Sequence, residues 1–218
     1  MMHRCELAIH GHGLLPGLLA VHLLGRDPGI SVLLLSADRT IGGEVPEPVV
    51  AASLSPAALD LVAPFVVMRW PGYFIRQAGG ARQHDDEVLL LDPVQLWLEL
   101  QGLLSPDCLA LSHGALEQDG DHLGWPGDSC SVARLVDLEP MTRREQASEI
   151  VGLDAARALP LPVLADFDTG DDHWNVFQHL PLGDERELVR KCRILHNAEA
   201  ELTTSFGKLL SDLIAYQR

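Results

Sequence analysis

Residues 5–17 read Cys5-Glu6-Leu7-Ala8-Ile9-His10-Gly11-His12-Gly13-Leu14-Leu15-Pro16-Gly17, and an apolar run then leads to Ser31-Val32-Leu33-Leu34-Leu35-Ser36. The pattern predicts a strand at 5–10, a glycine turn, a helix at 14–25 closed by Gly25, and a strand at 30–35. In that order, backbone N–H groups can approach a pyrophosphate at a helix N-terminus, where the helix dipole favours negative charge. The glycines are spaced G-x-G-x-x-x-G, one position longer than the usual fingerprint, but they lie between strand and helix as that chemistry requires. Pro16 suits the first helical turn, whose N–H groups have no helical partner.

The reading is therefore α/β, with a FAD/NAD(P)-binding, Rossmann-like domain. Its candidate cofactor contacts are Gly11, Gly13, Leu14 and Gly17, with Gly42 and Gly43 in the loop that follows. The end of the second strand should carry a carboxylate for the ribose hydroxyls. Ser36 stands there instead, and Asp38, two residues later, is the substitute that a different loop path could supply.

The composition narrows the partners. Of 218 residues, 31 are acidic and 16 are Lys or Arg, giving a formal charge of −15. Such a surface repels nucleic acid, and the 5% aromatic content leaves little for base stacking. Cys5, Cys108, Cys130 and Cys192 form no C-x-x-C pair and read as free thiols in a reducing compartment. With no leader pattern ahead of the first strand and no apolar run near twenty residues, no transmembrane span is expected and cytoplasm is the expected location.

Further along, 36–56 reads as a loop. Ser55-Pro56 opens a helix over 57–67, and strands are expected at Tyr73–Arg76 and Val88–Leu91. Asp92-Pro93 opens a helix at 93–104. Short strands follow at Leu109–Ser112 and Ala115–Glu117, and Cys130–Val136 is expected as the third parallel strand of the nucleotide part. Pro162–Phe167, Trp174–Leu180 and Leu188–Leu195 suggest an inserted, mainly antiparallel sheet, and 198–216 an amphipathic helix. The expected division is 1–56 with 128–140 as the nucleotide-binding part, and 57–127 with 141–218 as the substrate part.

The stretch Leu61–Arg76, with its Ala-Pro segment, Trp70-Pro71 and tyrosine-bearing strand, resembles the bacterial flavin-dependent lycopene β-cyclases. The glycine turn followed by leucine, the Gly42-Gly43 loop and the run Ile150–Asp154, Pro162–Asp166, Trp174–Leu182 are also similar, and the likeness extends from residue 5 to about 216. The resemblance implies FAD as cofactor, a hydrophobic isoprenoid or carotenoid ligand, peripheral membrane contact, and a non-redox ring closure at the end of a polyene. Ring closure needs a protonated acid in an apolar pocket and negative charge facing the cation.

Three departures set expectations against that activity. The positions matching the family's acidic pair carry Arg190 and Lys191, leaving Glu187 as the substitute acid. Asp137-Leu138-Glu139-Pro140 replaces a glycine-rich Asp-Gly-Arg-Gly, and the chain ends at Arg218 where the family continues. The expected outcome is weak or absent FAD binding and an impaired cyclase. The alternatives are a non-catalytic binding module and one half of a two-chain cyclase completed by a C-terminal partner chain.

Other constellations read as structural. Asp166, Asp168, Asp171, Asp172 and His173 lack an EF-hand loop and read as a solvated turn, as does His84-Asp85-Asp86-Glu87, so no metal site is expected. No nucleophile elbow supports serine hydrolysis. The Trp70–Tyr73 turn reads as aromatic packing.

Overall fold

In the computed structural model, residues 4–36, 38–77, 80–112, 116–138, 145–152, 161–169, 173–183, 186–195 and 206–216 are described. The apolar run Val32–Ser36 (β2) is buried along its whole length, as a central parallel strand covered on both faces must be. It pairs in parallel with Arg4–Gly11 (β1), which pairs in parallel with Asp128–Asp137 (β11). The three parallel strands expected from sequence are thus adjacent, with the helix Leu14–Arg26 (α1) as the crossover between the first two.

Three short strands complete this sheet. Leu109–Leu111 (β8) lies parallel to β2, and His122–Trp125 (β10) and Glu117–Asp119 (β9) continue antiparallel beyond β11. The sequence division placed 109–125 with the substrate part, and the structure pairs these strands into the sheet of β1, β2 and β11. These strands are too short for alternation to show which sheet they join, whereas their backbone partners decide it. Of the strand expected at Ala115–Glu117, Ala115 lies outside the described residues.

A small second sheet places Val88–Leu91 (β7) between Glu47–Val50 (β3) and Val66–Trp70 (β4). β3 lies inside the expected 36–56 loop, because Pro46 and Pro48 mask it. As an edge strand it tolerates Pro48. A third sheet runs β12-β15-β14-β13-β5-β6, formed by Glu145–Gly152, Arg186–Leu195, His173–Gly183, Val163–Thr169, Tyr73–Gln77 and Gly80–His84 in that order. Only the β13–β5 pair is parallel, so the sheet is mainly antiparallel, as expected.

The helices Pro56–Val62 (α2), Pro93–Leu103 (α3) and Phe206–Tyr216 (α4) pack with α1 over one face of the parallel sheet. Ser55 and Asp92 cap α2 and α3, each with proline in the first turn, as the sequence predicted. α4 belongs by sequence to the substrate part, yet it docks on α1 and α2. Leu210 and Ile214 are buried in their shared core, and Ser211 Oγ accepts from Ser55 N at 2.8 Å. The rest of the helix expected at 198–216 lies outside the described residues. The opposite face of the parallel sheet buries Cys5, Ala8, Leu33, Leu35, Leu123, Cys130 and Val132, and β7 separates the helical core from the third sheet.

Candidate functional site

The site forms where β1 and β2 end. Gly13 sits at φ +68°, ψ −153°, a conformation that side chains effectively confine to glycine, and it caps α1. A Cβ built there would meet nothing within 4 Å, so the turn has an open side, as a bound phosphate needs. Gly43, at φ +90°, approaches so closely that its Cβ would lie 3.0 Å from Gly13 Cα. Gly42 takes the same φ and packs against the carbonyl of Pro93, and Thr40 and Gly43 close the turn by two hydrogen bonds. Leu14 opens the helix and is buried; Gly11 ends β1 opposite Ser36. Gly17 serves packing: its Cβ would lie 2.9 Å from Leu96, so its absence lets α1 approach α3.

Ser36 is buried and its hydroxyl is used within its own loop, donating to Thr40 O at 3.0 Å and accepting from Asp38 N at 3.3 Å. The chain thereby reverses and returns Asp38 to the glycine turn. Asp38 Oδ2 accepts from Gly13 N at 2.6 Å, and Oδ1 lies 2.9 Å from His12 Nδ1. A carboxylate therefore stands at the turn after all, supplied from two residues beyond the strand end.

Beside it opens a cavity of about 750 Å³ between the 39–44 loop, α3 and β8. Ile41, Trp97, Leu104 and Leu109 line it, with Arg39, Thr40, Glu44 and Gln101 as polar side chains. The sequence reading missed this wall of α3. Its signal was there, since Val94, Trp97, Gln101 and Leu104 recur at three- and four-residue steps beside the buried Leu96 and Leu100.

At the neighbouring strand end, buried His10 puts Nδ1 2.9 Å from Asp137 Oδ1, while its Nε2 has no hydrogen-bond partner among the described residues. Leu138, where the resembled family has glycine, is buried in the helical core, and its N–H donates to His10 O at 2.8 Å.

Arg190 and Lys191 do not meet at one place. Arg190 is turned inward and only 6% exposed, donating to Glu47 Oε2 at 2.7 Å and Gln178 Oε1 at 3.1 Å, which ties β15 to β3 and β14. Lys191 is exposed, with Nζ 5.6 Å from the centre of the Phe177 ring. Glu187 Oε2 lies 3.5 Å from His179 Nδ1. Tyr73 stacks on His84 at 4.8 Å, and burial raises its hydroxyl pKa, in keeping with aromatic packing at that turn. Asp166 pairs with Arg76 at 3.4 Å, while Asp171 and Asp172 of the acidic turn lie outside the described residues. Among the described residues, no group of three His, Cys, Asp or Glu is placed to hold a metal, and no helix is long and apolar enough to cross a membrane.

No family model and no curated protein matches the chain. Solved structures do. A geranylgeranyl bacteriochlorophyll reductase-like protein from Thermoplasma acidophilum superposes with a TM-score of 0.55 at 13% identity, covering 100% of this chain and 62% of its own. The p-nitrophenol 4-monooxygenase of Pseudomonas putida gives 0.53 at 16%, covering 92% and 61%. A myxobacterial FAD-dependent chondrochloren halogenase gives 0.52 at 15%, covering 98% and 57%. The fold is that of FAD-binding, Rossmann-like flavoproteins. The chain spans about six-tenths of the length of these structures.

Proposed function

We propose that the chain binds FAD, with the pyrophosphate at Gly11–Leu14, the ribose on Asp38 and the adenine end in the cavity walled by Trp97 and Leu109. The observation that carries this is the Asp38 carboxylate standing 2.6 Å from Gly13 N beside an open glycine turn. The nucleotide-binding part is then 1–56 with 128–140, joined by β8–β10, which share its sheet. With Asp38 in place of the acid missing at Ser36 but no glycine after Asp137, affinity is expected to be micromolar. Titration of the purified chain with FAD, followed by flavin fluorescence and calorimetry, tests this. Saturable one-to-one binding supports it; no binding at 100 μM FAD overturns it.

The lycopene cyclase-like motifs make an apolar isoprenoid the ligand of choice for the flavin-bearing face. In the resembled family, reduced FAD assists a ring closure without net oxidation. This chain's own residues argue against carrying that step alone. Arg190 is committed to Glu47 inside the protein and cannot donate a proton at neutral pH. Lys191 lies on the opposite face of the sheet, over Phe177. Glu187 remains as the acid, with His179 against it. The burial of Arg190 favours a second reading, a flavin-fold protein that binds without turnover. Cells that make lycopene and express this chain should accumulate no β-ring product; cyclised carotenoid would restore the catalytic reading.

A further inference from the structure

We propose that His12, the residue between the two glycines of the turn, positions Asp38 as the ribose-holding group and so sets which nucleotides the site accepts. The inference rests on the FAD proposal above. Asp38 is carried by a loop two residues beyond the end of β2, where a carboxylate has more freedom than on a strand. One hydrogen bond from Gly13 N would leave it free to swing about that bond. The second contact, His12 Nδ1 at 2.9 Å from Oδ1 with Gly13 N at 2.6 Å from Oδ2, grips both oxygens and fixes the carboxylate plane. An ionised carboxylate only accepts, so the ring presents Nδ1–H to it.

The same geometry defines the ligand chemistry. A carboxylate has about four acceptor positions, and the two protein contacts use one on each oxygen. The remaining two, on a side chain about 25% exposed, suit the paired hydroxyls of a ribose. A 2′-phosphate placed there would face the carboxylate charge. The site thus selects nucleotides with a free 2′,3′-diol, and His12 acts through Asp38 without needing to touch the ligand.

Calorimetric titration with FAD, ADP and 2′-deoxy-ADP tests this on the full chain and on His12→Phe, His12→Asn and Asp38→Asn, with thermal unfolding to establish that each variant folds. The expected wild-type preference for ADP over 2′-deoxy-ADP is about tenfold or more, the worth of a charge-assisted hydrogen bond. His12→Phe and Asp38→Asn should each weaken FAD about tenfold and bring the ADP to 2′-deoxy-ADP ratio near one. His12→Asn, whose amide can still donate to Asp38, should recover most of both. If wild type binds FAD and His12→Phe keeps the ratio, the role of His12 is wrong while the cofactor proposal stands. If Asp38→Asn binds more tightly, the carboxylate blocks the turn and the inference is overturned. If wild type binds neither FAD nor ADP, both proposals fall.

Discussion

The parallel sheet and the large mixed sheet have six strands each, yet they use their polar residues in opposite ways. In the first, β1, β2 and β11 run the same way, so their C-terminal ends and the loops that follow share one edge. Gly13, Asp38, Gly43, His10 and Asp137 gather there from three stretches of chain. In the second, consecutive residues alternate between faces, so Arg190 and Lys191, neighbours in sequence, point apart. One joins the core to β3 and the other rests on Phe177. A parallel edge collects side chains into a site, whereas an antiparallel strand separates adjacent ones.

The sharpest way to break that contrast is at Arg190. Replacing it with alanine leaves Glu47, whose side chain is only 23% exposed, without its charge partner. The expected loss is about 3 kcal/mol in urea-induced unfolding. Lys191→Ala should cost under about 1 kcal/mol. Equal effects would show that the two residues do not differ as the sheet faces imply. Arg190→Glu, which installs the resembled family's acid, should destabilise more than alanine because it sets two carboxylates against each other.

Gly43→Ala probes the other region. Its φ of +90° and a Cβ only 3.0 Å from Gly13 Cα should together cost about 2 kcal/mol. FAD affinity should fall with stability, because the loop that covers the turn must move. A variant with wild-type stability and affinity would mean that the close approach of the two glycines does not hold the site.

The smallest effect concerns the sheet beneath the site. Burial, with Cys130 beside it, pushes the Cys5 thiol up to about 12 from an ordinary value of 9.0. The folded protein then keeps a proton that the unfolded chain releases. The thiol's contribution is fully present below pH about 9 and is lost as pH rises toward 12. Between pH 8 and 10, wild type should lose about 1 kcal/mol more than Cys5→Ala, within the limit of about 1.4 kcal/mol per pH unit for one group. Parallel pH curves would show that the thiol titrates normally. At pH 7.5, alkylation of Cys5 should be negligible without denaturant, as judged by intact-protein mass spectrometry.

Much of the first region was legible because its signals are local. Apolar period, glycine turn and proline-capped helices each declare themselves within a dozen residues, and β1, α1, β2, α3 and β11 lie close to where the pattern put them. In the third sheet β5, β13, β14 and β15 were legible as strands for the same reason, whereas β6 and β12 were not expected. β3 was not legible, because two prolines hide a strand held by its neighbour β7, and the sheet that β8–β10 join was not legible because short strands take their sheet from their partners. α4 read correctly as an amphipathic helix, but its apolar stripe says only that something covers it, not that α1 and α2 do.

The sequence by itself determined a glycine turn between a strand and a helix, because backbone conformation and helix polarity follow from residue type over a few positions. Only the tertiary structure decided that Asp38 replaces the carboxylate missing at Ser36, since that depends on how the 36–43 loop folds back, through hydrogen bonds between residues whose types alone do not fix the path. It also decided that Arg190 is a buried strut. A side chain's neighbours across two sheets, residues 47 and 178 here, are set by packing at long range, and no spacing along the chain encodes them.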